Sequence, residues 1–209
     1  MNQLGAPVFR RATEHDIDDM ARIISRAFAT DDPIEDYVFP DPADRHRRSP
    51  RMLRIMIRHR FLPAGGAAVA TIDDEIVGAM LWYPAGYGKS LWREAISGPQ
   101  LLWAMAGATG RGMDVDATIA ETTPATAHNY LVYLGCEPRV QRSGVGRALV
   151  RWLAAESDRE QAAVCGICKD ANVGYYKAFG FEFVRRAKIG RRGPEMNFVL
   201  RPPVPVGID

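Results

Sequence analysis

Gln141-Arg142-Ser143-Gly144-Val145-Gly146 places two glycines at alternate positions immediately ahead of an amphipathic run, with Arg147 following. A helix N-terminus exposes four backbone N–H groups without intrahelical partners, together with the positive end of the helix dipole. An anion set there is stabilised without help from any particular side chain. Gly144 and Gly146 remove Cβ atoms, so phosphate oxygens can approach the backbone, and Arg142 and Arg147 add positive charge beside the same spot. The glycines by themselves fit a tight turn equally well; the order strand, Gly-rich turn, amphipathic helix is what makes an anion cradle credible. A dinucleotide fingerprint is incomplete, because Leu149 stands where a third glycine would fall, and no Gly-Lys-Ser/Thr follows as in a nucleotide P-loop.

Other groupings invite chemistry and are set against simpler readings. Cys165-Gly166-Ile167-Cys168 is formally a C-x-x-C, yet two cysteines without a nearby histidine do not complete a tetrahedral metal site. Three residues apart on a strand, they face opposite sides, which argues for core cysteines and against a dithiol. Arg45-His46-Arg47-Arg48 with Arg51, Arg54 and Arg58, and Arg185, Arg186, Lys188, Arg191 and Arg192, read as solvated basic faces. Asp31, Asp32, Glu35 and Asp36 form an acidic segment that suits either loop solubility or attraction of a cation. Trp82, Tyr83, Trp92 and Trp103 suit an aromatic wall or the core, with the core favoured for Trp82.

These residues need elements to position them. Pro7–Ala12 reads as a strand, followed by Thr13 as an N-cap and an amphipathic helix over about Asp16–Ala29, in which Ile17, Met20, Ile23, Ile24, Ala27 and Phe28 recur at helical spacing. A loop rich in Asp and Pro spans Thr30–Asp44. A second helix carries Met52, Ile55, Met56 and His59 on one side. Gly65–Thr71 and Glu75–Tyr83 form a hairpin turned by Ile72-Asp73-Asp74-Glu75. Residues 85–127 read as an inserted helical or loop region, with helical stretches near Leu91–Ile96 and Gln100–Ala108. Asn129–Cys136 is a strand, and the helix after the Gly-rich turn turns Val145, Leu149, Val150, Leu153 and Ala154 inward. Ala162–Cys168 is a short buried strand, and Gly174–Phe179 a short helix ended by Gly180 in the left-handed conformation. Phe181–Val184 and Glu195–Leu200 close the chain as strands.

Composition bounds the function classes. The chain has 209 residues, 47% hydrophobic and 25% charged, in the ordinary range for one soluble domain with an insertion. A net charge of +2 gives no bulk electrostatic case for nucleic acid. Three cysteines are too few for a disulfide framework and favour a reducing compartment. The opening residues lack the apolar stretch of a secretory signal, and the apolar run Leu101–Ala108 is too short to span a bilayer. A cytoplasmic protein without a membrane partner is expected.

Two stretches together are recognisable. Cys136 to Ala148, containing Gln141-Arg142-Ser143-Gly144-Val145-Gly146, resembles the acetyl-CoA motif of the GNAT acetyltransferase superfamily, Gln/Arg-x-x-Gly-x-Gly/Ala. Asn172-Val173-Gly174-Tyr175-Tyr176-Lys177-Ala178-Phe179-Gly180-Phe181 resembles that family's second signature, Asn-x-x-x-Tyr-x-x-x-Gly-Phe. Ala27 to Pro33 and Phe39-Pro40-Asp41 resemble the early helix and loop of the branch that includes puromycin N-acetyltransferase.

The resemblance implies a mixed α/β fold whose parallel fourth and fifth strands splay apart to admit acetyl-CoA. It places Leu134 to Cys136 on the fourth strand, with a backbone amide near Cys136 polarising the thioester carbonyl. The amides of Arg142, Gly144, Gly146 and Arg147 would hold the pyrophosphate, within the cofactor-binding stretch Gln141, Arg142, Ser143, Gly144, Val145, Gly146 and Arg147. Tyr176 matches the family's tyrosine and would protonate the departing thiolate, a reasonable task for a phenol near pKa 10. Its neighbour Tyr175 is expected to point away and pack. Asn172 fits either a cofactor contact or a helix cap. Members of the branch often carry a glutamate on the fifth strand where this chain has Gly166; His128 and Glu137 are weaker candidates for the base, which stays unassigned. No metal is implied.

The resulting expectation is acetyl transfer to a primary amine of a small molecule. A non-catalytic acyl-CoA-binding module and a protein lysine or N-terminal acetyltransferase are the alternatives. A pocket closed by residues 85–127 would favour the small molecule, and an open groove the protein. The resemblance also admits a homodimer.

Overall fold

Seven strands form one mixed sheet in the computed structural model, which describes residues 6–205. They are β1 (Val8–Arg11), β2 (Ala67–Ile72), β3 (Glu75–Tyr83), β4 (His128–Cys136), β5 (Ala163–Cys168), β6 (Glu182–Lys188) and β7 (Glu195–Arg201), in the spatial order β1-β2-β3-β4-β5-β7-β6. Neighbours are antiparallel except β4 and β5, which run parallel. The β2–β3 turn places Asp73 and Asp74 at φ 50° and 63°, the twist that a two-residue hairpin requires and that Asp tolerates better than most residues.

Strand alternation divides the core into two layers. Val69, Ala79, Leu81, Tyr130 and Cys165 meet one face, where α1 (Ile17–Ala27) and α3 (Pro42–Met56) pack. Ala68, Ala70, Met80, Leu131, Val164 and Cys168 meet the other, under α6 (Val145–Arg159). Cys165 and Cys168 therefore lie in opposite layers, as their spacing requires, and all three thiols are free. Trp82 is a core residue, in edge contact with Trp152 at 5.9 Å. Trp92 and Trp103 are 60% and 71% exposed, so neither builds an internal wall.

The segment read as a loop over Thr30–Asp44 is largely helical. It contains α2 (Pro33–Val38) and the start of α3. Each begins with an Asp-Pro pair. The Asp32 carboxylate accepts from the Ile34 and Glu35 N–H groups at 3.1 and 2.9 Å, and Asp41 from the Ala43 N–H at 3.0 Å. Aspartate as N-cap with proline at the first helical position is a start signal, because proline's missing N–H is one that a helix leaves unpaired in any case.

α3 does not end cleanly. It runs into a π-helical turn, Ile57–Phe61, closed by Leu62 N–H donating to the Ile57 carbonyl at 2.9 Å. Residues 85–127 form α4 (Leu91–Met105) and α5 (Thr109–Thr122). α4 continues through Pro99 instead of breaking into the two expected stretches; its packing against α3 overrides the local signal. The closing helix, α7, spans Asp170–Lys177, starting four residues earlier than Gly174. Gly180 follows it at φ 83°, in the left-handed conformation expected of it.

Candidate active site

β4 and β5 share only three rungs, His128↔Ala163, Asn129↔Val164 and Tyr130↔Cys165, although both strands continue. Beyond the third rung they diverge. A register shift against β3 between Leu81 and Trp82 leaves Val132 as the extra residue on β4, a bulge that bends the strand at the point of separation. The Glu137 N–H donates to the Val77 carbonyl on β3 at 2.9 Å. Since successive amides of a strand face opposite edges, the N–H groups of Leu134 and Cys136 turn to the edge that β5 has left. Gly166 marks the last close approach. A Cβ there would stand 2.7 Å from the Leu131 carbonyl oxygen, so the fifth strand has no room for a carboxylate at this place.

A cleft of about 580 Å³ occupies the gap, lined among others by Leu134, Gln141, Arg142, Asn172, Tyr175 and Tyr176. Of the Gly-rich turn, Gln141 and Arg142 line it, while Ser143 to Arg147 and Cys136 are not among its lining residues. Arg142 and Gly144 both have positive φ, 65° and 98°, and Gly144 is the N-cap of α6. That double left-handed step frees the amides of the first turn of α6 on the outside. Ser143 Oγ donates to the Val140 carbonyl at 2.6 Å and braces the turn. The Val145 side chain is buried in the core, so that residue can offer only backbone to the outside. Gly146 lies against Cys136 Sγ, whose thiol burial raises to about 11.

α7 borders the cleft on the β5 side. Asn172 is its third residue, not its cap, which is Lys169; the capping alternative therefore fails. Tyr176 stands edge-on to Phe181 at 5.3 Å, and burial raises its hydroxyl above the ordinary phenol value. Tyr175 does not point away. It lines the same cleft, and a Cβ at Gly146 would lie 3.5 Å from its hydroxyl. Consecutive helix positions are about 100° apart, and a concave cleft is wide enough to receive both. Burial raises Tyr175 to about 12.

Neither named candidate base is placed to serve. His128 lies at the closed end of the β4–β5 pair, with Nδ1 2.7 Å from the Thr126 carbonyl oxygen. Glu137 is buried between Arg22 and Arg26, held in ion pairs.

The acidic segment instead divides into four different tasks. Asp31 pairs with Lys169 Nζ at 2.6 Å, joining the α1–α2 loop to the end of β5. Asp32 caps α2. Asp36 pairs with Arg45 at 2.5 Å. Glu35 is 4% exposed, and its Oε2 has no hydrogen-bond partner. Burial, with the nearby Asp32 carboxylate adding and Arg45 and the Ser49 hydroxyl opposing, pushes its carboxyl up to about 7. The sequence names Glu35 only as one of four acidic residues and does not set it apart; recognising Asp32-Pro33 as a helix start would have placed it inside a helix. Arg45 also departs from the solvated-face reading. It is buried, donating to the Phe39 and Ala29 carbonyls. The second basic cluster is exposed, as read.

A second cavity of about 360 Å³ adjoins the cleft and shares Ile34, Glu35, Val115 and Tyr133 with it. α3, α4 and α5 supply most of its wall. Among the described residues no cluster of His, Cys, Asp or Glu could hold a metal ion, and no helix is long and apolar enough to cross a membrane.

The model of the Acetyltransferase (GNAT) family matches residues 27–181. No curated protein matches the sequence. Among solved structures, that described as histone acetyltransferase HPA2 and related acetyltransferase, from Corynebacterium glutamicum, superposes with a TM-score of 0.74 at 20% identity, covering 97% of this chain and 99% of the other. The polyamine N-acetyltransferase of Drosophila melanogaster, which forms N-acetylagmatine, gives 0.63 at 12% identity, covering 94% and 100%. The ribosomal-protein-S18-alanine N-acetyltransferase of Escherichia coli gives 0.56 at 13% identity, covering 98% of each chain. These likenesses concern the fold.

Proposed function

The chain belongs to the GNAT acetyltransferase family, and from that premise we propose that it moves the acetyl group of acetyl-CoA onto a primary amine of a small molecule. The supporting observation is that Leu134 on β4, Gln141 and Arg142 at the turn leading into α6, and Tyr176 on α7 line one cleft. The residues present fit that cosubstrate. When bound, it supplies an activated thioester. The amides of Arg142, Gly144, Gly146 and Arg147 hold its pyrophosphate, with Gln141, Ser143 and Val145 shaping the turn. The Leu134 and Cys136 amides stand where negative charge develops on a carbonyl oxygen. Tyr176 donates its proton to the departing sulfur, and Asn172 contacts the cosubstrate from α7.

The acceptor preference rests on the second cavity. α4 and α5, from residues 85–127, wall one side of it, which suits a small molecule better than a peptide laid along a groove. The reading includes one domain carrying that insertion, residence in the cytoplasm, and no nucleic-acid or membrane partner. Thermal shift with acetyl-CoA, then thiol release across an amine panel, tests it. Stabilisation and thiol release are expected; no stabilisation by any acyl-CoA would end the proposal. Tyr176→Phe should lower turnover with little change in acetyl-CoA affinity, and unchanged turnover would remove Tyr176 from the acid role.

A further inference from the structure

The second cavity has a chemical character of its own. Val38, Met52, Met56, Leu101, Met105 and Val115 give it an apolar wall, and its volume is at the small end for organic ligands. Its charged residues are already matched at the far side. Arg60 lies 3.2 Å from Glu94 and 3.1 Å from Asp116, and Lys89 lies 3.7 Å from Asp116. The remaining carboxyl, Glu35, stands where this cavity meets the cleft. Arg45 is nearby but committed to Asp36 and to two backbone carbonyls. A buried carboxylate oxygen without a partner is costly unless something completes it.

We propose that this cavity receives the acceptor as a monoamine on an apolar body, and that Glu35 at its mouth is the base that takes the amine's proton. The inference rests on acetyl-CoA occupying the neighbouring cleft. One free carboxylate matches one ammonium; a second cationic group would enter without an anion, which disfavours diamines and guanidino amines. Entering as an ammonium, the amine first passes one proton through Glu35 to water; the neutral nitrogen then bonds to the acetyl carbon as the carbon–sulfur bond breaks. The nitrogen's proton goes to a Glu35 oxygen, and the thiolate takes the Tyr176 proton; both side chains re-equilibrate with water. Groups packed around Glu35 are Asp32 and Asp36 on its own segment, Arg45 and Ser49 on α3, and Tyr133 on β4. Their combined effect leaves Glu35 a carboxylate above about pH 7, so the rate should rise as pH increases through that value.

The test uses the full chain, acetyl-CoA, and four amines: 2-phenylethylamine, hexylamine, putrescine and agmatine. The two monoamines should exceed the other two by ~10-fold or more in kcat/KM. Glu35→Gln should lose ~100-fold or more in kcat and the acidic limb of the pH profile, with calorimetric acetyl-CoA affinity unchanged. Glu35→Asp serves as the conservative control and should retain part of the limb. Infrared titration without acetyl-CoA should find a carboxylic acid deprotonating near pH 7 in the parent and absent from Glu35→Gln. Preference for putrescine or agmatine overturns the monoamine assignment. An unaltered profile in Glu35→Gln, or no such carboxyl, overturns the base. Intact acetyl-CoA binding with no amine acetylated overturns the cavity's role. Absent acetyl-CoA binding by the parent protein instead refutes the underlying acetyl-CoA reading.

Discussion

Glu35→Gln should make the protein more stable while making it a poorer enzyme, and the gain should depend on pH. The carboxyl has an ordinary value of 4.5 and sits at about 7 when folded. Below the lower value both folded and unfolded chains hold the proton, and glutamine is a close mimic of the neutral acid. Between the two values the unfolded chain loses its proton while the folded one keeps it, so the parent loses stability as pH rises. Above about 7 the loss is complete. A gap of two and a half pH units at about 1.4 kcal/mol each gives about 3–4 kcal/mol. The residue is almost fully buried, so solvent screening takes little from that figure. Urea unfolding of both proteins at pH 5, 6, 7 and 8 measures the difference directly. It should be small at pH 5, grow steadily, and level off near pH 8, corresponding to roughly 10 °C in Tm. A difference that is flat with pH would refute the reasoning. So would a variant less stable than the parent at pH 8, since that would mean the carboxylate is stabilised by a partner.

The two glycines of the anion turn should respond differently. Gly144→Ala forces a Cβ into φ 98° and should cost about 1–2 kcal/mol and weaken acetyl-CoA binding, whereas a methyl at Gly146 meets no protein atom closer than 3.5 Å and should leave stability nearly unchanged while still weakening acetyl-CoA binding, because it stands where a phosphate oxygen approaches the backbone; chemical denaturation and calorimetry read the two effects. Gly166→Ala drives a methyl against the Leu131 carbonyl and should cost about 1–3 kcal/mol, with hydrogen exchange at the three β4–β5 rungs rising; unaltered protection would show that the strands part without constraint from that contact.

How far the chain could be read in advance depends on the range of the physics. The Gly-rich turn, the Asp73-Asp74 hairpin and Gly180 are local choices of backbone conformation, and the structure forms each of them as expected. Leu134, Gln141, Arg142, Asn172 and Tyr176, collected from three separate elements, also line one cleft, because the spacing of two signatures carried the topology between them. Asp32-Pro33 and Asp41-Pro42 carried a local signal too, but acidic and proline-rich composition masked two helix starts. Other features had no local signal. Glu35 is set apart from Asp31, Asp32 and Asp36 only by what α3 and β4 cover. Tyr175 lines the cleft because of how α7 sits across it. Gly166 could be read only as a missing carboxylate, since the Leu131 carbonyl that forbids one is distant in sequence.

The π-helical turn at Ile57–Phe61 makes backbone winding, as well as residue identity, a determinant of what the second cavity accepts. Its extra residue holds Arg60 toward Glu94 and Asp116, and Phe61 flat against Tyr83 at 4.9 Å. Wound as an ordinary α-turn, the same residues would rotate everything after them by about 100°. The guanidinium would swing off its two carboxylates, leaving Glu94 unpaired and Asp116 with Lys89 alone. Backbone winding over five residues thus sets the charge that the second cavity presents, as much as the identity of its wall does.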